Sequence, residues 1–125
     1  MQATLEHINL TVTDTDATAA ILAKIFDWNI RWTGAAKDNG KTINLGTDNT
    51  YLAVYSHGDK HYANISHKTI GNLNHIGIQV DDLDAIETKV KAAGLIPFNH
   101  GDYEPGRRFY FNLEEGLEIE VVSYQ

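Results

Sequence analysis

A chain of 125 residues with 42 % apolar residues, a net charge of −7 and no cysteine has room for a real core and none for a disulfide or a thiolate metal site. No apolar run reaches the length of a membrane span. The start, Met1-Gln2-Ala3-Thr4, lacks the basic and apolar regions of a secretory signal, which makes the cytoplasm the default compartment. No cationic cluster is larger than Arg107-Arg108, so nucleic acid and anionic membrane are poor partners, and a small molecule or another protein remains.

The first strand is expected from about Thr4 to Thr13, with Ile8, Leu10 and Val12 in the apolar phase and His7, Asn9 and Thr11 in the polar phase. Asp14, Thr15 or Asp16 can cap the helix that follows, near Asp16 to Phe26, which should bury Ala20, Ile21, part of Ala23, Ile25 and Phe26. Strands are expected at Trp28 to Thr33, Thr42 to Leu45 and Thr50 to Ser56, with Asn39-Gly40 as a hairpin turn. Residues 58–72 are polar and read as a connector.

The plan then starts again. Leu5-Glu6-His7-Ile8-Asn9-Leu10-Thr11-Val12-Thr13-Asp14 returns 68 positions later as Leu73-Asn74-His75-Ile76-Gly77-Ile78-Gln79-Val80-Asp81-Asp82. A repeat of this length means two similar supersecondary units. A strand at Leu73 to Val80 leads to a helix from about Leu83 to Ala93, capped by Asp81 or Asp82 and stopped by Gly94. Strands near Leu95 to Asn99, Arg107 to Leu113 and Leu117 to Ser123 complete it, the last two joined by a turn at Glu114-Glu115-Gly116. The expectation is an α+β fold, one domain over 1–125. Two β-α-β-β-β modules, about 1–57 and 73–125, would form a curved, partly closed eight-stranded mixed sheet with the helices on its convex side.

Strand side chains alternate faces. The apolar phase should lie under the helices and the histidine phase on the concave side. The repeat relates His7 to His75, and a pseudo-twofold would bring them to facing positions. On the last strand Glu118 and Glu120 share the concave phase. Two imidazoles and a carboxylate are good ligands for Fe, Mn, Co, Ni or Zn, and three protein ligands leave positions open for catalysis. Singly, a strand histidine is more often hydrogen-bonded or exposed than a ligand, and such a glutamate is usually solvated. The repetition of the histidine sets this pattern apart. Arg108, Tyr110 and Asn112 share one phase of their strand, and Arg108 suits a carboxylate or phosphate, or a cross-strand ion pair. Tyr51 and Tyr55 share a phase too and can line a pocket, as can Asn9. His57, His61, His67 and His100 fall in loops or at strand ends and are expected in solvent. Glu118 is expected at a wet rim, and Trp28 and Trp32 in a core or an interface.

His7-Ile8-x-Leu10-x-Val12, His75-Ile76-x-Ile78-x-Val80-x-Asp82 and Phe109-Tyr110-Phe111-x-x-Glu114-Glu115-Gly116-Leu117-x-Ile119-Glu120 resemble the vicinal oxygen chelate superfamily over nearly the whole chain. That superfamily includes glyoxalase I, fosfomycin-resistance proteins, extradiol dioxygenases and bleomycin-resistance proteins. The first and second motifs look like the opening strands of its two modules, and the third like its closing hairpin, without the usual proline. The resemblance implies one divalent metal ion held by His7, His75 and Glu120. It puts Tyr110 on the concave side, where a phenol can donate a hydrogen bond to a ligand oxygen.

A fourth ligand position falls at Ala53 or Leu52, depending on the alignment, and neither is a carboxylate. Glyoxalase I enzymes have a glutamate there, so a glutathione-dependent glyoxalase is disfavoured. Glu104 and His100 stand where fosfomycin-resistance proteins are expected to carry serine and lysine. The resemblance thus implies a metal-dependent enzyme on a small oxygen-rich substrate, by lyase, isomerase, transferase or ring-cleaving dioxygenase chemistry, and a homodimer. The alternative is a metal-free small-molecule-binding protein of the bleomycin-resistance type.

Overall fold

The structure is a computed structural model in which residues 1–57, 67–113 and 117–125 are described. The repeat in the sequence is a repeat of elements. β1 (His7–Thr11), α1 (Thr15–Phe26), β2 (Asn29–Ala36), β3 (Gly40–Gly46) and β4 (Tyr51–Ser56) are followed by β5 (Ile76–Gln79), α2 (Leu83–Ala92), β6 (Phe98–Tyr103), β7 (Gly106–Asn112) and β8 (Glu118–Ser123). The α+β class and the doubled β-α-β-β-β order are as expected. The chain divides into two compact units, Met1–Tyr62 and Ala63–Gln125. Each holds one four-stranded sheet, in the order β1-β4-β3-β2 and β5-β8-β7-β6. In each, the first strand runs parallel to the last and the other neighbours are antiparallel.

Equivalent residues do equivalent work in the two units. Asp14 and Asp82 are the helix caps, and each carboxylate accepts the backbone N–H three residues on, from Ala17 and Ala85, at 3.0 Å. First-turn Asp16 and Asp84 meet Lys41 and Arg107 at the start of the third strand of their own sheets. Gly40 and Gly106 open those strands. A Cβ on either would collide with the carbonyl oxygen of Ser56 or Ser123 on the neighbouring strand, so only glycine fits.

The core of unit 1 lies between α1 and one face of its sheet, with Leu10, Leu22, Ile25, Ile43, Leu45 and Val54 buried. The buried face of α1 is Thr15, Thr18, Ala19, Leu22 and Ile25; Ile25 and the partly buried Ala23 are as expected, whereas Ala20 is exposed and Ile21 and Phe26 are only half-buried. The buried residues follow the three-to-four spacing of one helix face, and two of them are threonines, which a search for apolar side chains passes over. The core of unit 2 is Ile76, Leu83, Val90, Phe109, Phe111, Ile119 and Val121.

Two further expectations need correction. The β2–β3 turn is centred on Asp38 and Asn39, both left-handed at φ 60° and 55°, one residue before Asn39-Gly40. A pair of left-handed residues gives a two-residue turn whose twist suits a hairpin. β6 begins at Phe98 rather than Leu95, because Leu95 still donates its N–H to Val90 at the helix end and Pro97 has no N–H for a ladder; inside the strand Asn99 is left-handed (φ 57°) and the ladder to β7 shifts between Phe98 and Gly101. The expected turn at 114–116 lies outside the described residues, as do residues 58–66 of the connector and His61.

Candidate metal centre

The face of the unit 2 sheet turned away from α2 carries the polar phase of β7 and β8. Register sets Tyr110 beside Glu120, Arg108 beside Val122, Asn112 beside Glu118, and Gly77 of β5 on the other side of Glu120. Glu120 is the centre of this face. Its Oε1 lies 3.0 Å from His75 Nε2, and its Oε2 accepts from Arg108 Nη1 at 3.0 Å. The Glu120 side chain is 12 % exposed and the Arg108 side chain 14 %. Arg108 also donates to the Gly106 carbonyl (3.4 Å) and lies over the Tyr103 ring (4.7 Å), while its Nε is buried without a partner. The Tyr110 ring meets His75 edge-on at 5.7 Å. Burial, and then the Glu120 carboxylate, pushes the Tyr110 phenol above its ordinary pKa, so it is held as a neutral donor.

His75 Nδ1 faces Asn74 Oδ1 at 2.6 Å. An amide oxygen only accepts, so Nδ1 donates, and a neutral ring then turns the Nε2 lone pair toward Glu120. An imidazole lone pair and a carboxylate 3.0 Å apart repel unless a proton or a cation lies between them. Two ligands about 2.1 Å from one ion and at right angles would stand about 3.0 Å apart. The pair therefore fits as two adjacent ligands of a divalent ion. Glu118, expected at a wet rim, is 14 % exposed, with His67 Nε2 at 3.9 Å.

Unit 1 has a different face on the same frame. His7 Nδ1 faces Glu6 Oε1 at 2.8 Å, and the His7 ring stacks on Tyr51 at 4.9 Å and 14°. Arg31 lies over the Tyr51 ring at 4.4 Å. Register places Tyr51, Ala53 and Tyr55 beside His7, Asn9 and Thr11. Because Asn9 is the repeat partner of Gly77, which pairs with Glu120, Ala53 and not Leu52 holds the place of Glu120. Tyr55 donates its hydroxyl to the Lys37 carbonyl at 2.9 Å. Burial, and then Asp38, pushes its phenol up.

Of the eight site residues named from the sequence, His75, Glu120, Arg108 and Tyr110 cluster in unit 2, and His7, Tyr51, Asn9 and Tyr55 share one face in unit 1. Among the described residues, no three His, Cys, Asp or Glu side chains come together fit to hold a metal. Tyr51, expected to touch substrate, stacks on His7, and Arg108 makes the cross-strand ion pair weighed against its anion-binding role. His100 meets Glu87 at 2.9 Å, and His57 lies against Tyr55 with ring centroids 5.9 Å apart. Trp28 packs on Phe26 at 5.0 Å, whereas Trp32 is half exposed. Glu6 and Asn74, which the sequence reading did not single out, each contact Nδ1 of a repeated histidine. The signal was available, since each precedes a repeated histidine and bears a side-chain oxygen.

Residues 4–121 match the model of the Glyoxalase/Bleomycin resistance protein/Dioxygenase superfamily, and the chain belongs to that superfamily. None of the curated proteins matches it. Among solved structures, a glyoxylase/bleomycin resistance protein/dioxygenase domain from Frankia sp. EAN1pec is similar, at 19 % identity and a TM-score of 0.83 over 100 % of both chains. A fosfomycin resistance protein, FosX, from Listeria monocytogenes, solved with Mn(II) and 1S,2S-dihydroxypropylphosphonic acid, has 24 % identity and a TM-score of 0.75 over 98 % of this chain and 93 % of that one. FosX from Mesorhizobium loti has 20 % identity and a TM-score of 0.74 over 98 % and 92 %. At these identities the likeness is one of fold. Among the described residues no helix is long and apolar enough to cross a membrane.

Proposed function

We propose that the chain is a cytoplasmic, homodimeric, divalent-metal-dependent enzyme acting on a small, oxygen-rich, anionic substrate. The observation that carries this is the His75–Glu120 pair, with Nε2 and Oε1 3.0 Å apart on a largely buried carboxylate. His7, from the other module, is the third ligand through Nε2. The domain is the full chain. When bound, the ion supplies Lewis-acid stabilisation of charge that develops on chelating substrate oxygens. Mn(II) in the similar FosX structure supports a divalent ion of the Fe, Mn, Co, Ni or Zn group.

The chain's own residues then have distinct parts. Tyr110, kept neutral by its surroundings, donates a hydrogen bond to a substrate oxygen. Arg108 cancels the charge of Glu120, so the full charge of the divalent ion is left for the substrate to meet, which favours an anion with two oxygen donors. Asn9, Tyr51 and Tyr55 line the unit 1 face of the substrate site. The missing carboxylate at Ala53 removes the second acidic position at which a glyoxalase would move a proton, so other superfamily reactions are favoured.

A second reading, a metal-free binding protein of the bleomycin-resistance type, draws on one observation: both Glu120 oxygens already have partners, in His75 and Arg108. Elemental analysis of protein purified without chelator separates the two. The enzyme reading expects one equivalent of transition metal, lost in His7→Ala and Glu120→Gln. Wild-type protein that holds none and takes up none on dialysis against Zn(II) or Mn(II) overturns it. Mixing His7→Ala with His75→Ala protein and finding restored metal binding would show a site shared between subunits.

A further inference from the structure

We infer that Glu6 and Asn74 are positioning residues, one per module, that hold the proton of each repeated histidine on Nδ1 and so present Nε2 as its open face. The inference rests on the metal-centre reading only for its consequence in affinity. The same relation occurs twice. Glu6 Oε1 is 2.8 Å from His7 Nδ1, and Asn74 Oδ1 is 2.6 Å from His75 Nδ1. Both oxygens accept and cannot donate, so each Nδ1 must carry hydrogen. At His7, a proton on Nε2 alone would set an Nδ1 lone pair against an oxygen lone pair at hydrogen-bonding distance; at His75, whose Nε2 lies 3.0 Å from Glu120 Oε1, a cation or a second proton occupies the Nε2 side while Asn74 keeps the first proton on Nδ1.

Neighbouring side chains in a strand point to opposite faces, so a residue cannot ordinarily reach the ring that follows it. Here both pairs sit where the strand begins. β1 starts at His7, and β5 starts one residue after His75. The preceding residue is outside the pleat and can turn back along the imidazole. One aromatic ring completes each support: Tyr51 stacks on His7, and Tyr110 meets His75 edge-on. An oxygen at Nδ1 fixes the rotation of the ring as well as its tautomer. The supports differ in one respect. Glu6 is a carboxylate and 64 % exposed, whereas Asn74 is a neutral amide.

The test reads the proton directly, without metal. Long-range proton–nitrogen correlation spectra of the ¹⁵N-labelled full chain at about pH 8.5, well above the ordinary imidazole value, report which ring nitrogen carries hydrogen. Nδ1–H is expected on both His7 and His75, on His75 with or without a second proton on Nε2 toward Glu120. Glu6→Ala should move His7 toward Nε2–H, and Asn74→Ala should do the same to His75, each without effect on the other ring. Glu6→Gln and Asn74→Asp, which keep the accepting oxygen, should retain the wild-type pattern. Equilibrium dialysis against Zn(II) should show the two alanine variants weakened by about 10–100-fold and the conservative variants close to wild type. An unprotonated Nδ1 on either ring of the wild type, or alanine variants with unchanged tautomers, overturns the inference. Wild-type protein with the expected tautomers that binds no Zn(II) overturns the metal-centre reading and leaves this one standing.

Discussion

The two sheets share one frame and were furnished in opposite ways. On the helix side, Ile43 and Leu45 of β3 hold the places that Phe109 and Phe111 hold in β7, since each pair faces the matching residues of β4 or β8. The helices show the reverse. α1 buries Thr15, Thr18, Ala19, Leu22 and Ile25, and α2 only Leu83 and Val90. The α2 residue at the place of Ala19 is Glu87, and at the place of Ile25 is Ala93. The helix thus contributes more to the core in unit 1 than in unit 2, where two strand aromatics take up its share. On the other side, Tyr51, Ala53 and Thr42 of unit 1 stand where unit 2 has Glu118, Glu120 and Arg108. Duplication supplied the scaffold and the histidine twice. The buried charges were installed once.

The largest expected effect tests the division of the core. Phe109 and Phe111 are 0 % exposed, so Phe109→Ala and Phe111→Ala should each cost about 3–5 kcal/mol. The matching Ile43→Ala and Leu45→Ala should cost less, because α1 supplies more of the surrounding contact. Denaturant unfolding of the four variants gives the order directly. A smaller loss at the phenylalanines than at Ile43 and Leu45 would break the comparison.

Next comes the charge pair. Arg108→Ala leaves the nearly buried Glu120 without its cation and should cost about 2–3 kcal/mol. Thr42→Ala, at the same place in unit 1, should stay within about 0.5 kcal/mol. Adding Glu120→Ala to Arg108→Ala should recover part of the loss, because the orphaned charge goes with it. An additive double variant would mean that the contact contributes little to folding. The helix caps, in contrast, should behave alike in both units. Asp14→Ala and Asp82→Ala should each cost about 1 kcal/mol, measured by the same unfolding experiment, and a difference of more than half of that would show unequal dependence on the two helices.

How much of this was legible in the sequence depended on the range of the signal. The element order, the caps and the alternation of His7, Asn9 and Thr11 against Ile8 and Leu10 are local, and the repeat stated each of them twice. Phase left Arg108 open to a cross-strand ion pair or an anion clamp and could not name Glu120 as its partner, which lies one diagonal step away in the register. The start of β6 was hidden because the hydrogen bond from Leu95 back to Val90 leaves no hydrophobic trace. The buried threonines of α1 were hidden because position on the helix outweighs polarity there. Glu6 and Asn74 were passed over for a sound reason, since strand alternation sends them to the opposite face from the histidine. Only the fact that both lie outside the pleat reverses it.

The smallest expected effect is a pH dependence in which the two units again differ in cause. Tyr55 in unit 1 and Tyr110 in unit 2 are both pushed above the ordinary value of 10.0, chiefly by burial, with Asp38 adding to the first and Glu120 to the second. Unfolded tyrosine ionises near 10.0, and the folded groups ionise later. The stability linked to them is therefore complete below that pH and is lost as pH rises through the folded values. Alkaline titration followed by tyrosinate absorbance should show one late-ionising group fewer in Tyr55→Phe and one fewer in Tyr110→Phe. Asp38→Asn should bring Tyr55 earlier and leave Tyr110 in place, whereas Glu120→Gln should do the opposite. If either acidic variant moved both tyrosines together, the two faces would share one electrostatic environment, and the contrast between them would have to be given up.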